Sequence, residues 1–205
     1  MIIRSKKSVL SGLPGRIIAP VILLAPVIAS AHPGLPGHSH GFANGFAHPL
    51  SGLDHLLAMT AVGLWAAQRG GRALWMAPLA FISVMTVGAV LGMAGWGQIP
   101  LIDQTIAASV LVMGIFVATA SRFSLSAAIS LIGLFALFHG YAHGAEMPVT
   151  ASGLQYGLGF VMATAVLHLC GIGIGLTAQK MNSMKLVRTS GWVIVACGLY
   201  LIFTS

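Results

Sequence analysis

An all-α membrane protein, built as a six-helix transmembrane bundle after a cleaved N-terminal signal peptide, is the fold class this sequence predicts. Three observations carry it. The 205 residues are 57% hydrophobic and only 6% charged, where a soluble domain carries roughly 25% charged residues. The apolar residues fall into six runs long enough to cross a bilayer. The basic residues that follow the first apolar run all sit in every second connection between those six runs, the pattern expected of loops on one side of a membrane.

At the N-terminus, Arg4, Lys6, Lys7 and Arg16 precede an apolar run over residues 17–29 that is broken by Pro20 and Pro26. That run is too short to span comfortably. It ends in Ala29-Ser30-Ala31, the small-x-small pattern of a signal-peptidase site. Cleavage after Ala31 is therefore expected. Residues 1–31 form a signal peptide, 32–46 a His/Gly/Pro-rich periplasmic leader, and 47–205 the membrane domain. Spans are expected at 47–68, 73–94, 104–121, 124–145, 153–179 and 187–204, separated by breaks such as Gln68-Arg69-Gly70-Gly71-Arg72 and Met147-Pro148.

Export of residue 32 puts the connections between spans 1 and 2, 3 and 4, and 5 and 6 on the cytoplasmic side. Those loops hold Arg69 and Arg72, then Arg122, then Lys180, Lys185 and Arg188, which is every basic residue beyond Ala31. The same orientation places Asp103 and Glu146 at the outer face. The net charge of +7 is thus scattered singly between apolar runs, not clustered on a polar face, which excludes a nucleic-acid partner. Cys170 and Cys197 lie inside apolar stretches and form neither a CxxC motif nor a disulfide framework; they read as packing residues. The spread methionines, Met59, Met85, Met93, Met113 and Met162, read the same way.

Ionisable side chains inside membrane segments are costly and mark pathways or ligand sites. Two stretches concentrate them: His48-Pro49-Leu50-Ser51-Gly52-Leu53-Asp54-His55 at the outer end of span 1, and Phe138-His139-Gly140-Tyr141-Ala142-His143-Gly144-Ala145-Glu146 at the outer end of span 4. Residues 139, 143 and 146 share one helical face, so two imidazoles and a carboxylate converge. His48 and His55 also share a face, but on a straight helix they stand roughly 10 Å apart, too far for one ion. Either Pro49 and Gly52 mark an irregular start, tolerated where it lines a cavity, or His48 belongs to a separate capture site above Asp54 and His55. Both stretches lie at matching depth and can face each other. Imidazole with carboxylate suits borderline divalent ions such as Ni²⁺, Co²⁺ or Zn²⁺.

The patterns His48-x5-Asp54-His55 and Phe138-His139-Gly140-x-Ala142-His143-Gly144-x-Glu146 resemble the two signatures of the HupE/UreJ family of bacterial nickel or cobalt permeases. The resemblance extends over essentially the whole chain. It implies that His48, Asp54, His55, His139, His143 and Glu146 handle the metal, in a multi-pass inner-membrane secondary transporter serving nickel enzymes such as hydrogenase or urease. Ni²⁺ or Co²⁺ is then cargo, and no prosthetic group is expected.

Four further histidines are accessory candidates. His32, His38 and His40 would lie on the leader as a capture arm, and His168 sits in the middle of span 5. Because Pro33 lacks an amide N–H, an amine–amide–imidazole chelate starting at residue 32 is not expected. Below the two clusters the inner pathway has only hydroxyls such as Thr60, Ser83 or Thr119, backbone carbonyls, water and His168. Gly88-x3-Gly92 and Gly171-x3-Gly175 permit close helix contact, within the chain or between copies in a homo-oligomer. The alternative function is a membrane-embedded zinc-dependent hydrolase, which lacks any nucleophile or general-base motif beyond the ligand candidates. A haem electron carrier would place axial histidines on facing helices, but Asp54 and Glu146 suit that role poorly. No GxxxxGK[ST] nucleotide motif occurs, so no ATPase activity is expected.

Overall fold

The computed structural model describes residues 41–95, 97, 99–145, 147 and 153–205. The signal peptide, His32, His38 and His40 of the leader, and Glu146 lie outside the described residues. Among the described residues the regular structure is entirely helical, in seven helices: α1 (Gly41–Ser51), α2 (Leu53–Arg69), α3 (Ala73–Met93), α4 (Ile102–Thr119), α5 (Leu125–Ala145), α6 (Gly153–Lys180) and α7 (Met184–Thr204). Five of them, α3 to α7, are long and apolar enough to cross a membrane, and α1 with α2 makes a sixth, broken candidate.

The first span differs from the straight run of 47–68. It starts at Gly41, six residues earlier, and bends by 79° between α1 and α2. Gly52 is the corner. Its backbone is extended (φ −87°, ψ 121°), its N–H donates to the His48 carbonyl of α1, and its own carbonyl accepts from Leu56 N–H of α2. Pro49, one turn earlier, cannot donate to the carbonyl four residues before it, which weakens α1 where the chain must turn.

In lipid there is little hydrophobic gain in joining apolar helices, so association depends on close backbone approach and interhelical hydrogen bonds. This chain supplies both. A side chain at Gly88 or Gly92 of α3 would strike the Leu137 or Tyr141 carbonyl of α5, and one at Gly140 or Gly144 of α5 would strike the Met85 or Ala89 carbonyl of α3. Gly45 and Gly159 do the same between α1 and α6, and Gly63 and Gly171 between α2 and α6, while a side chain at Gly114, Gly191 or Gly198 would strike a backbone nitrogen across the α4–α7 contact. The two Gly-x3-Gly pairs singled out above are therefore used within the chain.

The alternating direction of the helices gathers Arg69, Arg72, Arg122, Lys180, Lys185 and Arg188 at one end of the bundle. There side-chain donors reach backbone carbonyls at and just beyond the ends of α2 and α4. Gln68 Nε2 donates to the Val117 carbonyl (2.9 Å), Arg188 Nε to that of Ala118 (2.9 Å), Trp65 Nε1 to that of Ser121 (3.2 Å) and Gln179 Nε2 to that of Ala67 (2.6 Å). This basic end is thereby pinned across four helices. The histidines of α1, α2 and α5 stand towards the opposite end.

Candidate metal centre

The bend at Gly52 decides the geometry. With α1 turned away from the α2 axis, the His48 ring comes to 5.9 Å from the His55 ring, centroid to centroid, and to 4.6 Å from His143. The start of the first span is therefore irregular, and it brings His48 beside His55 and His143 in place of the roughly 10 Å separation of a straight helix. His55 in turn lies 4.4 Å from His143 and 5.2 Å from His139. Two sequence motifs 84 or more residues apart thus close into one cluster of four imidazoles, with His139 completely buried and His143 and His55 only 4% and 6% exposed. His48 and Asp54 are half-buried.

Hydrogen bonds fix which ring nitrogens face inward. Asp54, in the first turn of α2 where the helix dipole favours an acid, accepts from the His55 backbone N–H (2.9 Å) and lies 2.6 Å from His55 Nδ1 through the same oxygen. A carboxylate only accepts, so in the neutral ring the proton is on Nδ1 and the Nε2 lone pair is free. His139 Nδ1 lies 3.0 Å from the Phe135 carbonyl one turn back; this too requires an Nδ1 proton and leaves Nε2 as an unprotonated, buried atom without a partner. His55 therefore presents an unprotonated Nε2 to His143, and His139 keeps an unprotonated, buried Nε2 in a ring adjacent to His55. His55 Nε2 is in hydrogen-bond contact with His143 Nε2, so His143 is the donor there, and its Nδ1 is buried without a partner.

The remaining walls are aromatic and were not legible as site residues. Phe160 of α6 packs on His143 (4.3 Å between centroids) and His48 (6.3 Å), Tyr156 reaches His48 (6.2 Å), and Phe81 of α3 lies 5.7 Å from His139. A phenylalanine inside an apolar run looks like any other packing residue, so no sequence signal separates these walls from the core. Beside the cluster a partly open apolar cavity of about 390 Å³ runs between α3, α5 and α6, with Met85, Met93, Met147 and His143 in its lining.

Among the described residues no three His, Cys, Asp or Glu side chains already stand in a finished chelating arrangement. At the centre His55 and His143 are hydrogen-bonded to each other. An ion bound to both would replace that bond, at metal–nitrogen distances near 2.0–2.1 Å. His168 is buried as well, but one ring further along and in contact with Phe81 (5.1 Å) rather than with the four clustered histidines.

The motif glycines also acquire a role. Gly140 and Gly144, beside His139 and His143, let α5 lie against the α3 backbone. Gly52 leaves room for the Asp54–His55 pair: a methyl group there would sit 2.7 Å from Asp54 Oδ1 and 2.8 Å from His55 Nδ1.

No solved structure matches this chain. Among curated proteins, Protein HupE of Rhizobium leguminosarum bv. viciae is 40% identical over 180 residues, covering 88% of this chain and 93% of that protein. The model of the family described as HupE / UreJ protein matches residues 20–201. With both motifs assembled in a helical membrane bundle, the chain belongs to the HupE/UreJ family.

Proposed function

We propose that the protein is a secondary permease that takes up a divalent transition-metal cation, nickel or cobalt, through the histidine cluster between α1, α2 and α5. One observation carries this reading: the Nδ1 atoms of His55 and His139 face Asp54 and the Phe135 carbonyl, which leaves both Nε2 atoms unprotonated, that of His55 facing His143 and that of His139 buried without a partner. Metal-bound histidines characteristically give their other ring N–H to a carboxylate or backbone carbonyl, which sets the tautomer and strengthens the ligand. Family membership supports transport and does not favour the zinc hydrolase.

In this reading the cation sheds part of its water at the histidine end and inserts between His55 and His143. The proton that His143 shares with His55 moves to Nδ1, the atom without a partner, and His48 and His139 complete the imidazole shell. Asp54 balances charge from behind His55, and Glu146, which lies outside the described residues, is a further ligand candidate by its place in the sequence motif. The ion then leaves towards the basic end. A membrane potential acts on two charges with about 4.6 kcal/mol per 100 mV, enough for roughly thousandfold accumulation without nucleotide hydrolysis.

Cells expressing the full chain should accumulate radioactive nickel well above vector controls, and excess cobalt should compete. Uptake of neither metal at verified membrane abundance would contradict the permease.

A further inference from the structure

We propose that His168 is a second, inner coordination station, to which a divalent cation passes from the four-histidine cluster on its way through the bundle. The proposal rests on reading that cluster as a cation site.

His168 is 1% exposed, and neither Nδ1 nor Nε2 has a hydrogen-bond partner. Buried polar side chains almost always find partners, and a histidine kept only for packing would be served by the nearest carbonyl, as His139 is by that of Phe135. Its position is also not left to chance. A side chain at Gly63 of α2 would strike the His168 carbonyl, and one at Gly171 would strike the Thr60 carbonyl, so α2 and α6 lie backbone to backbone at this level.

The position continues the cluster in line. Tyr156, Phe160, Thr164 and His168 are all buried and follow one another at four-residue intervals, so they form one face of α6. The first two wall the cluster at His48 and His143, and His168 lies eight residues beyond Phe160, about 12 Å further along the helix. On α5, His139 is one turn deeper than His143. Phe81 makes ring contact with both His139 and His168, so a single aromatic side chain bridges the two levels. Both of those histidine rings carry buried nitrogens without partners, Nε2 of His139 and both nitrogens of His168. Of the other inner candidates, Ser83 is exposed, Thr119 Oγ1 is engaged with the Ile115 carbonyl on an exposed face, and Thr60 is half-buried and offers a hydroxyl, a weaker ligand than imidazole for these ions. His168 is the buried nitrogen ligand on this side of the cluster among the described residues.

The test uses the full chain with His168→Leu, similar in size and without a ligand atom, and His168→Gln, which keeps polarity. Co²⁺ binding is measured by calorimetry on purified protein, and Co²⁺ influx in proteoliposomes loaded with a fluorescent metal indicator. The expected result is Co²⁺ affinity within about twofold of wild type, since the variants leave the cluster untouched, with influx lowered at least about tenfold in both. Influx within about twofold of wild type in either folded variant would overturn the station. So would parallel loss of binding and influx in both, which would make His168 a support of the cluster. Wild-type protein that neither binds nor admits Co²⁺ would overturn the reading of the cluster itself, and the station with it.

Discussion

Replacing His139 and His143 together by alanine is expected to abolish metal uptake and to weaken metal binding by more than about a hundredfold, because loss of second-shell partners alone typically costs 10–100-fold. The two rings belong to one face of α5 but do different work. His139 offers a fixed Nε2 lone pair in a completely buried position, while His143 is the direct partner of His55 across the helix interface. The backbone of α5 at this level is held on α3 by Gly140 and Gly144, not by the histidines, so the double variant should reach the membrane in normal amount. Radioactive nickel uptake at matched abundance checks this. Retained uptake would remove α5 from the path.

The second large effect is expected from a residue that need not touch the ion. Asp54→Asn replaces an acceptor-only oxygen by an amide that can also turn a donor toward His55, so the Nδ1 proton, and with it the free lone pair on Nε2, is no longer enforced. Affinity for Ni²⁺ or Co²⁺ should fall roughly 10- to 100-fold. Gly52→Ala should weaken binding in the same direction by a different route: the added methyl meets the ends of the Asp54 and His55 side chains, which can move aside only by giving up their 2.6 Å bond. Gly52 has negative φ, so alanine introduces no backbone strain at the corner. Calorimetric titration of the two variants with Co²⁺ distinguishes this from a folding defect. Unchanged affinity in both would mean that the Asp54–His55 pair is scaffold.

The limits of the sequence reading follow from physical causes. Spans 2 to 6 were legible because long apolar runs bounded by Gly, Pro and basic residues leave few alternatives in lipid; α3 to α7 begin and end within about three residues of those runs. The first span was legible only as a dilemma. Pro49 and Gly52 signalled an irregularity, but the direction of the turn depends on where α1 finds a partner, and that partner is α6. Gly41-Phe42-Ala43-Asn44-Gly45-Phe46 reads as leader because Gly and Asn are poor helix formers; it is helical because Gly45 lies flat on the Tyr156 backbone and Gly159 on that of Phe42. Tertiary contact overrides propensity there.

At the site, six ligand candidates could be named from the sequence because charge and imidazole are rare in apolar segments, and five of them lie in the described residues. Matching depth showed that the two stretches can face each other, but the arrival of His48 beside His55 and His143 could not be derived, since it depends on the 79° bend. The tautomers were equally hidden. They are set by the Phe135 carbonyl and by the packing that presses Asp54 onto His55, neither of which a motif records.

The central claim is that imidazoles from α1, α2 and α5 share one cation, and X-ray absorption at the cobalt edge of purified, Co²⁺-loaded protein addresses it most directly. The account predicts a first shell with several imidazole ligands, recognisable by their multiple-scattering pattern, that loses imidazole when His139 and His143 are both alanine. A shell of oxygen atoms alone, or a spectrum unchanged by that double substitution, would contradict it.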